Sequence, residues 1–151
     1  MAKKYLTFED ICALPLIQQA IQHEEERHRA RMLEIQTMTK ALGALQLERA
    51  EILRNGYRLF GESIMRGAAK PGLVYTGCMG QGDEIRLATA LLRSGWKVVD
   101  RDGGLYPSPT FRKGRVNLKM SCWHEGSLEK AERQVAASSS ASAVALATAE
   151  A

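Results

Sequence analysis

The sequence predicts an α+β protein: a long, coiled-coil-like N-terminal helical region, then a small helix-plus-antiparallel-sheet domain, then an Ala/Ser-rich tail. Three observations carry this expectation. Residues 1–70 hold no strong turn cluster and are rich in Leu, Gln, Glu, Arg, Ala and Met, which lose little side-chain freedom in a helix. Residues 71–125 switch to short β-type runs around one amphipathic helix. From residue 126 to 151 Ser and Ala dominate, with too little apolar bulk beyond a short helix to build a core.

Within the helical region, Thr7 followed by Asp10 reads as a capping box. Pro15 suits the first turn of a second helix, with the break at Ala13 or Leu14. Apolar residues then recur at Ile17, Ile21, Met32, Ile35, Met38, Leu42, Leu45, Ile52 and Leu59, in steps of three and four or their sums. The seam is interrupted where Glu24, His28 and Arg31 fall on it. "HEEERHRAR", residues 23–31, reads as a solvated stretch laced by pairs such as Glu25 with Arg29. His23 and His28, five apart, do not share a helical face, which argues against a metal site.

One helix over residues 16–66 would be about 75 Å long at about 1.5 Å per residue, too long for the rest of this chain to cover. The region therefore either folds back, with Gly43 or "RNGY" (residues 54–57) as the bend, or pairs with another chain. Self-association is the favoured reading, with Ile17, Ile21, Ile35, Met38, Leu42 and Leu45 as its interface. Gly67, Pro71 and Gly72 mark the boundary to the second region.

In that region "LVYTG", "WKVVD" and "RVNLKMSCW" read as strands, and residues 83–94 as a helix stopped by Gly95. Ile85, Leu87, Ala88, Leu91 and Leu92 form the helix's apolar face, leaving Asp83, Arg86, Thr89 and Arg93 to solvent. Along the last strand Val116, Leu118, Met120 and Cys122 alternate with Arg115, Asn117, Lys119 and Ser121, giving one core face and one basic, polar face. Beyond Val135 the tail is expected to be disordered or frayed helix.

Composition narrows the function classes. The chain has 151 residues, 45% of them hydrophobic and 25% charged, as in folded domains rather than disordered ones. With 21 basic and 17 acidic side chains the net charge is +4, a mild bias that a polyanion partner or plain solubility explains equally. The N-terminal stretch lacks the apolar run and cleavage pattern of a signal peptide, and no window resembles a membrane span. Cys12, Cys78 and Cys122 are odd in number and far apart, which points to a reducing compartment: cytoplasm, or a particle assembled there.

"VYTGCMGQGDEIRLATALLRSGWKVVDRD", residues 74–102, reads as a strand, a glycine-rich turn, a helix and an acid-ended strand. It resembles the first β-turn-α-β unit of the extended short-chain dehydrogenases. "TGCMG" matches the start of that family's TGxxGxxG turn, and "LLRSGWKVVDRD" its helix end and acidic second strand. The resemblance implies a dinucleotide's pyrophosphate on the turn amides and Asp100 on a ribose hydroxyl. Where the family has its third glycine this chain has Asp83, followed by Glu84, and two carboxylates there would repel a phosphate.

"CWH" sets Cys122 and His124 on one side of a strand, with Cys78 a possible neighbour, yet zinc commonly takes four ligands in paired sets and only one set is present. "FRKGRVNLK" places Arg112, Lys113, Arg115 and Lys119 about a glycine turn, with Phe111 and Trp123 at hand, a pattern suited to phosphate contact without base reading. No nucleophile elbow or P-loop is present. The expectation is thus a non-enzymatic oligomeric assembly module, without cofactor or metal, whose basic hairpin meets an acidic partner, nucleic acid first. Two alternatives stand beside it: a structural subunit of a larger, for instance viral, particle with protein partners only, and a small nucleotide-binding enzyme using the turn from Gly77 to Gly82.

Overall fold

A computed structural model describes residues 7–68, 72–101, 108–121 and 124–149, with the side chains of the last helix described as far as Ser140. The chain is α+β and divides into two compact units, Met1–Thr37 and Met38–Ala151.

In the first unit, helix α1 (Phe8–Cys12) starts at the predicted capping box: the Thr7 amide donates to Asp10 Oδ2 at 2.9 Å, and the Asp10 amide to Thr7 Oγ1 at 3.2 Å. The chain breaks at Ala13 and Leu14, and Gln19 Nε2 donates to the Leu14 carbonyl at 2.8 Å, tying the break to the first turn of α2 (Leu16–Arg54). Leu16, Ile17, Ile21, Met32 and Leu33 are all exposed. The buried residues of α2 are Met38, Ala41, Leu45 and Ile52, which belong to the second unit.

The alternative of a fold-back at Gly43 does not occur: Gly43 lies inside α2 and is exposed. "RNGY" does end the helix. Gly56 takes φ +100°, a conformation open to glycine, so that the Tyr57 amide reaches back to the Ile52 carbonyl at 3.2 Å and the Gly56 amide to Leu53 at 3.0 Å. The same pair of bonds closes α3 (Gln81–Arg93), from Trp96 to Leu91 and from Gly95 to Leu92.

The second unit contains a five-stranded sheet of β1 (Ile64–Arg66), β2 (Gly72–Tyr75), β3 (Lys97–Asp100), β4 (Thr110–Lys113) and β5 (Val116–Met120), in spatial order β1-β2-β5-β4-β3. The sheet is mixed rather than antiparallel throughout: β2 and β5 run parallel, Leu73 opposite Leu118, and the other pairings are antiparallel. Strand β1 falls inside the stretch expected to be helical, where three residues are too few to show a period of two. Ile64, Leu73, Tyr75, Phe111, Val116, Leu118 and Met120 are buried along one face, and α3 contributes Leu87, Ala88, Ala90 and Leu91 to the core.

Helix α4 (Ser127–Ala149) packs along α3, burying Leu128 and Ala131. This corrects two expectations. Thr89 is buried, not solvent-facing, because α4 covers it and Gln134 Oε1 accepts its hydroxyl at 3.1 Å. The Ser/Ala segment beyond Val135 is helical, since alanine has the highest helix propensity; the hydroxyls of Ser138, Ser139 and Ser140 are satisfied by carbonyls one turn back.

Candidate functional site

The β4–β5 hairpin sorts the basic residues by strand phase. Side chains alternate across a strand, so Phe111 and Lys113 face the helices while Arg112 faces away. Lys97 on β3 lies opposite Arg112, Arg112 opposite Asn117 on β5, and Thr110 opposite Lys119. The opposite face therefore carries Lys97, Arg112, Asn117 and Lys119 in two adjacent rows, with Val74 and Met65 continuing the Lys119 row across β2 and β1. Arg112 Nε donates to Asn117 Oδ1 at 2.8 Å, which ties the guanidinium to the neighbouring strand. Arg115 is exposed in the turn beside Gly114.

Lys113, expected beside Arg112, sits on the opposite face. Its Nζ donates to Glu48 Oε2 at 2.6 Å, to Glu51 Oε2 at 3.3 Å and to the Ser94 carbonyl at 2.7 Å. The bond to Glu48, aided by Glu51, raises the pKa of its ammonium above the usual lysine range. Lys97, which the sequence reading did not single out, takes its place on the open face, where the alternation in "WKVVD" could have put it.

The expected helical interface also divides. Ile17 and Ile21 are exposed and Ile35 half-buried, whereas Met38 and Leu45 lie in the core of the second unit and Leu42 lines a cavity of about 210 Å³ with Leu45, Leu59 and Ile64.

The glycine-rich turn is shaped from within. A Cβ at Gly77 would lie 2.6 Å from Tyr75 Oη and 2.8 Å from Ser63 Cβ, so the backbone passes where only glycine fits. Asp83, in place of a third glycine, accepts the Met79 amide at 3.1 Å and pairs with Arg86; Arg86 first and that amide second hold its carboxyl below the usual carboxylate range. The turn's anion position is thus filled by its own side chain. Beside it lies an open cavity of about 440 Å³, lined by Leu53, Tyr57, Phe60, Gly77, Met79 and Arg86 among others. Tyr57 packs edge-on to Tyr75, ring centroids 6.0 Å apart, with Cys78 Sγ 3.8 Å from its hydroxyl. Burial pushes the Cys78 thiol up to about 11, against the lowering effect of the Tyr57 contact.

Glu84 was not foreseen as a core residue. It is fully buried at the first turn of α3, accepts the Ser127 hydroxyl at 2.7 Å and lies 3.3 Å from His124 Nδ1. The signal lay in the phase of the helix, since Glu84, Leu87, Ala88 and Leu91 share one stripe. Cys122 and Trp123, named for the "CWH" and hairpin readings, lie outside the described residues, as does Pro71. Cys12 and Cys78 are free thiols. Among the described residues no group of three His, Cys, Asp or Glu side chains is placed to hold a metal, and no helix is long and apolar enough to cross a membrane.

Comparison with protein-family models, with curated proteins and with solved structures gives no match to this chain.

Proposed function

We propose that this protein is a non-enzymatic, self-associating module of the cytoplasm, or of a particle assembled there, that engages an acidic partner through the sheet face that carries Lys97 and Arg112, nucleic acid being the favoured partner. The observation that carries the reading is the in-register row of Lys97, Arg112 and Asn117 across β3, β4 and β5, with Lys119 in the neighbouring row and Arg115 at the turn. Cations spaced along strands can follow a phosphate backbone without reading bases. Asn117 adds a neutral hydrogen-bonding group between them. Self-association is supported by the exposed Ile17, Ile21 and Met32, which share one side of α2. A nucleotide-using enzyme is disfavoured by Asp83, whose carboxylate occupies the turn.

The test is the light-scattering mass of the purified chain with and without a short DNA duplex. An oligomer that gains the duplex's mass at low salt supports the reading. With about four phosphate contacts, one for each of Lys97, Arg112, Arg115 and Lys119, log K falls against log salt with a slope of about −3.6. Binding that survives R112A/R115A and K97A overturns the assigned face. A chain that ignores DNA but binds an acidic protein through the same residues supports the structural-subunit alternative.

A further inference from the structure

The first half of α2 carries its apolar residues and its charges in an order that distinguishes the two ways in which a second copy can pair with it. At about 100° per residue, Ile17, Ile21, Glu24, His28, Met32 and Ile35 fall on one side of the helix. Ile17 is 76% exposed, Ile21 54% and Met32 44%. The apolar positions lie at the two ends of this stretch, and the middle is polar. That middle is itself ordered: Glu24, Glu25 and Glu26 come first, then Arg27, Arg29 and Arg31.

We infer that α2 pairs with α2 of a second copy in antiparallel fashion about a two-fold axis at residue 26. The inference rests on the self-association proposed above and adds the geometry. In this arrangement Ile17 faces Ile35 of the second copy, Met32 faces the small Ala20, Ile21 lies against the aliphatic stem of Arg31, Glu24 faces His28 and Glu25 faces Arg27, each contact occurring twice by symmetry. A parallel, in-register pair keeps the apolar ends but sets Glu24 on Glu24, Glu25 on Glu25 and Arg31 on Arg31. Like charges facing each other at a helix interface are destabilising, whereas opposite charges steer orientation and register. The intrahelical pairs Glu24 with Arg27, at 2.7 Å, and Arg31 with Glu34 lie within each copy in either orientation. The Glu24 pair is solvent-exposed, so its members can share a charge across the interface with little loss.

The experiment uses the full chain carrying C12S, with either I17C or I35C, the two variants mixed, oxidised and mapped for linked peptides by mass spectrometry. The antiparallel pair yields 17-to-35 links in the mixture and few links in either variant alone, because its two copies of residue 17 are about 27 Å apart along the axis, 18 residues at about 1.5 Å each. Links of 17 to 17 and 35 to 35, with a dimeric mass, overturn the orientation and leave self-association standing. A monomeric mass for the unsubstituted chain overturns both. If the cysteines themselves disperse the pair, charge exchange reads the same geometry. H28E weakens association by setting a new carboxylate against Glu24 of the second copy, and E24K/H28E restores it; a parallel pair gains nothing from the second change, and that result overturns the proposal.

Discussion

The buried carboxyl of Glu84 accepts a 2.7 Å hydrogen bond from the Ser127 hydroxyl, joining the first turn of α3 to the first turn of α4 across 43 residues of sequence. The same hydroxyl lies 3.0 Å from the His124 carbonyl, and the His124 ring stands 3.3 Å from the other carboxyl oxygen. A fully buried acid is tolerated when its oxygens are bonded, so these contacts let the two helices meet.

Removing the hydroxyl with Ser127→Ala leaves Glu84 short of a partner and is expected to lower stability by about 2 kcal/mol, whereas Ser139→Ala, on the exposed side of α4, changes it by less than about 0.5 kcal/mol. Urea denaturation of both variants checks the difference. Hydrogen exchange at the amides of 128–135 should quicken in the first variant alone.

The turn gives a second contrast. Gly77→Ala sets a methyl 2.6 Å from Tyr75 Oη and is expected to destabilise by about 1–3 kcal/mol. Gly82→Ala, inside α3 with nothing within 4 Å of the new atom, is expected to stabilise by about 0.5–1 kcal/mol. Thermal melts of the two variants should move in opposite directions. If both glycines instead tolerate alanine, the close approach at Tyr75 is not what shapes the turn.

Alkaline pH should unfold the protein earlier than its acidic groups would suggest. The Cys78 thiol is raised from its ordinary value near 9 to about 11 by burial, and burial likewise raises Tyr57. The folded chain keeps these protons where the unfolded chain releases them, so stability falls as pH rises from about 9 through 11. Lys113, raised by Glu48, acts in the same sense, its contribution being present below its ordinary 10.5 and lost above the folded value. The urea midpoint between pH 8.5 and 11 measures the decline, and Cys78→Ala should make it shallower. At pH 8 the half-buried Cys78 thiol stays protonated, so iodoacetamide should reach the exposed Cys12 far sooner.

Lys113 and Arg112 adjoin in sequence but are expected to fail differently. Lys113→Ala breaks the bridge to Glu48 and Glu51 and should lower stability by about 1 kcal/mol, with DNA binding nearly unchanged. The R112A/R115A pair should leave the melting temperature within a degree or two and shallow the salt dependence of binding by about two in slope. Equal loss of DNA binding in the two cases would show that the strand's two faces do not separate their roles.

Neighbouring residues were legible in the sequence to the extent that local physics decides them. The capping box at Thr7, the break before Pro15, the stop at Gly95 and the alternation of Val116, Leu118 and Met120 depend on a few adjacent residues and stand as read. Lys113 depended on the phase of β4, a strand the turn signal at Gly114 concealed. Thr89 depended on α4, whose packing partner no local pattern names, whereas Glu84 could be read from the phase of α3 itself. Of the basic site, Arg112, Arg115 and Lys119 could be read from their neighbourhood, while Lys97 joins them through pairing with a strand more than ten residues away.

The central position of β5 has a consequence for how the chain is made. The β1–β2 hairpin and α3 can form as soon as they leave the ribosome, but β2 must leave its inner edge unpaired until Val116–Met120 arrives to run alongside it. Such a distant parallel pairing forms late and slowly, because a long loop must close before any bond is gained. For that interval Leu73 and Tyr75 flank an open hydrogen-bonding edge. Nascent chains crowded on one message would meet at this edge, so the speed with which β5 inserts sets how many reach the folded state rather than one another.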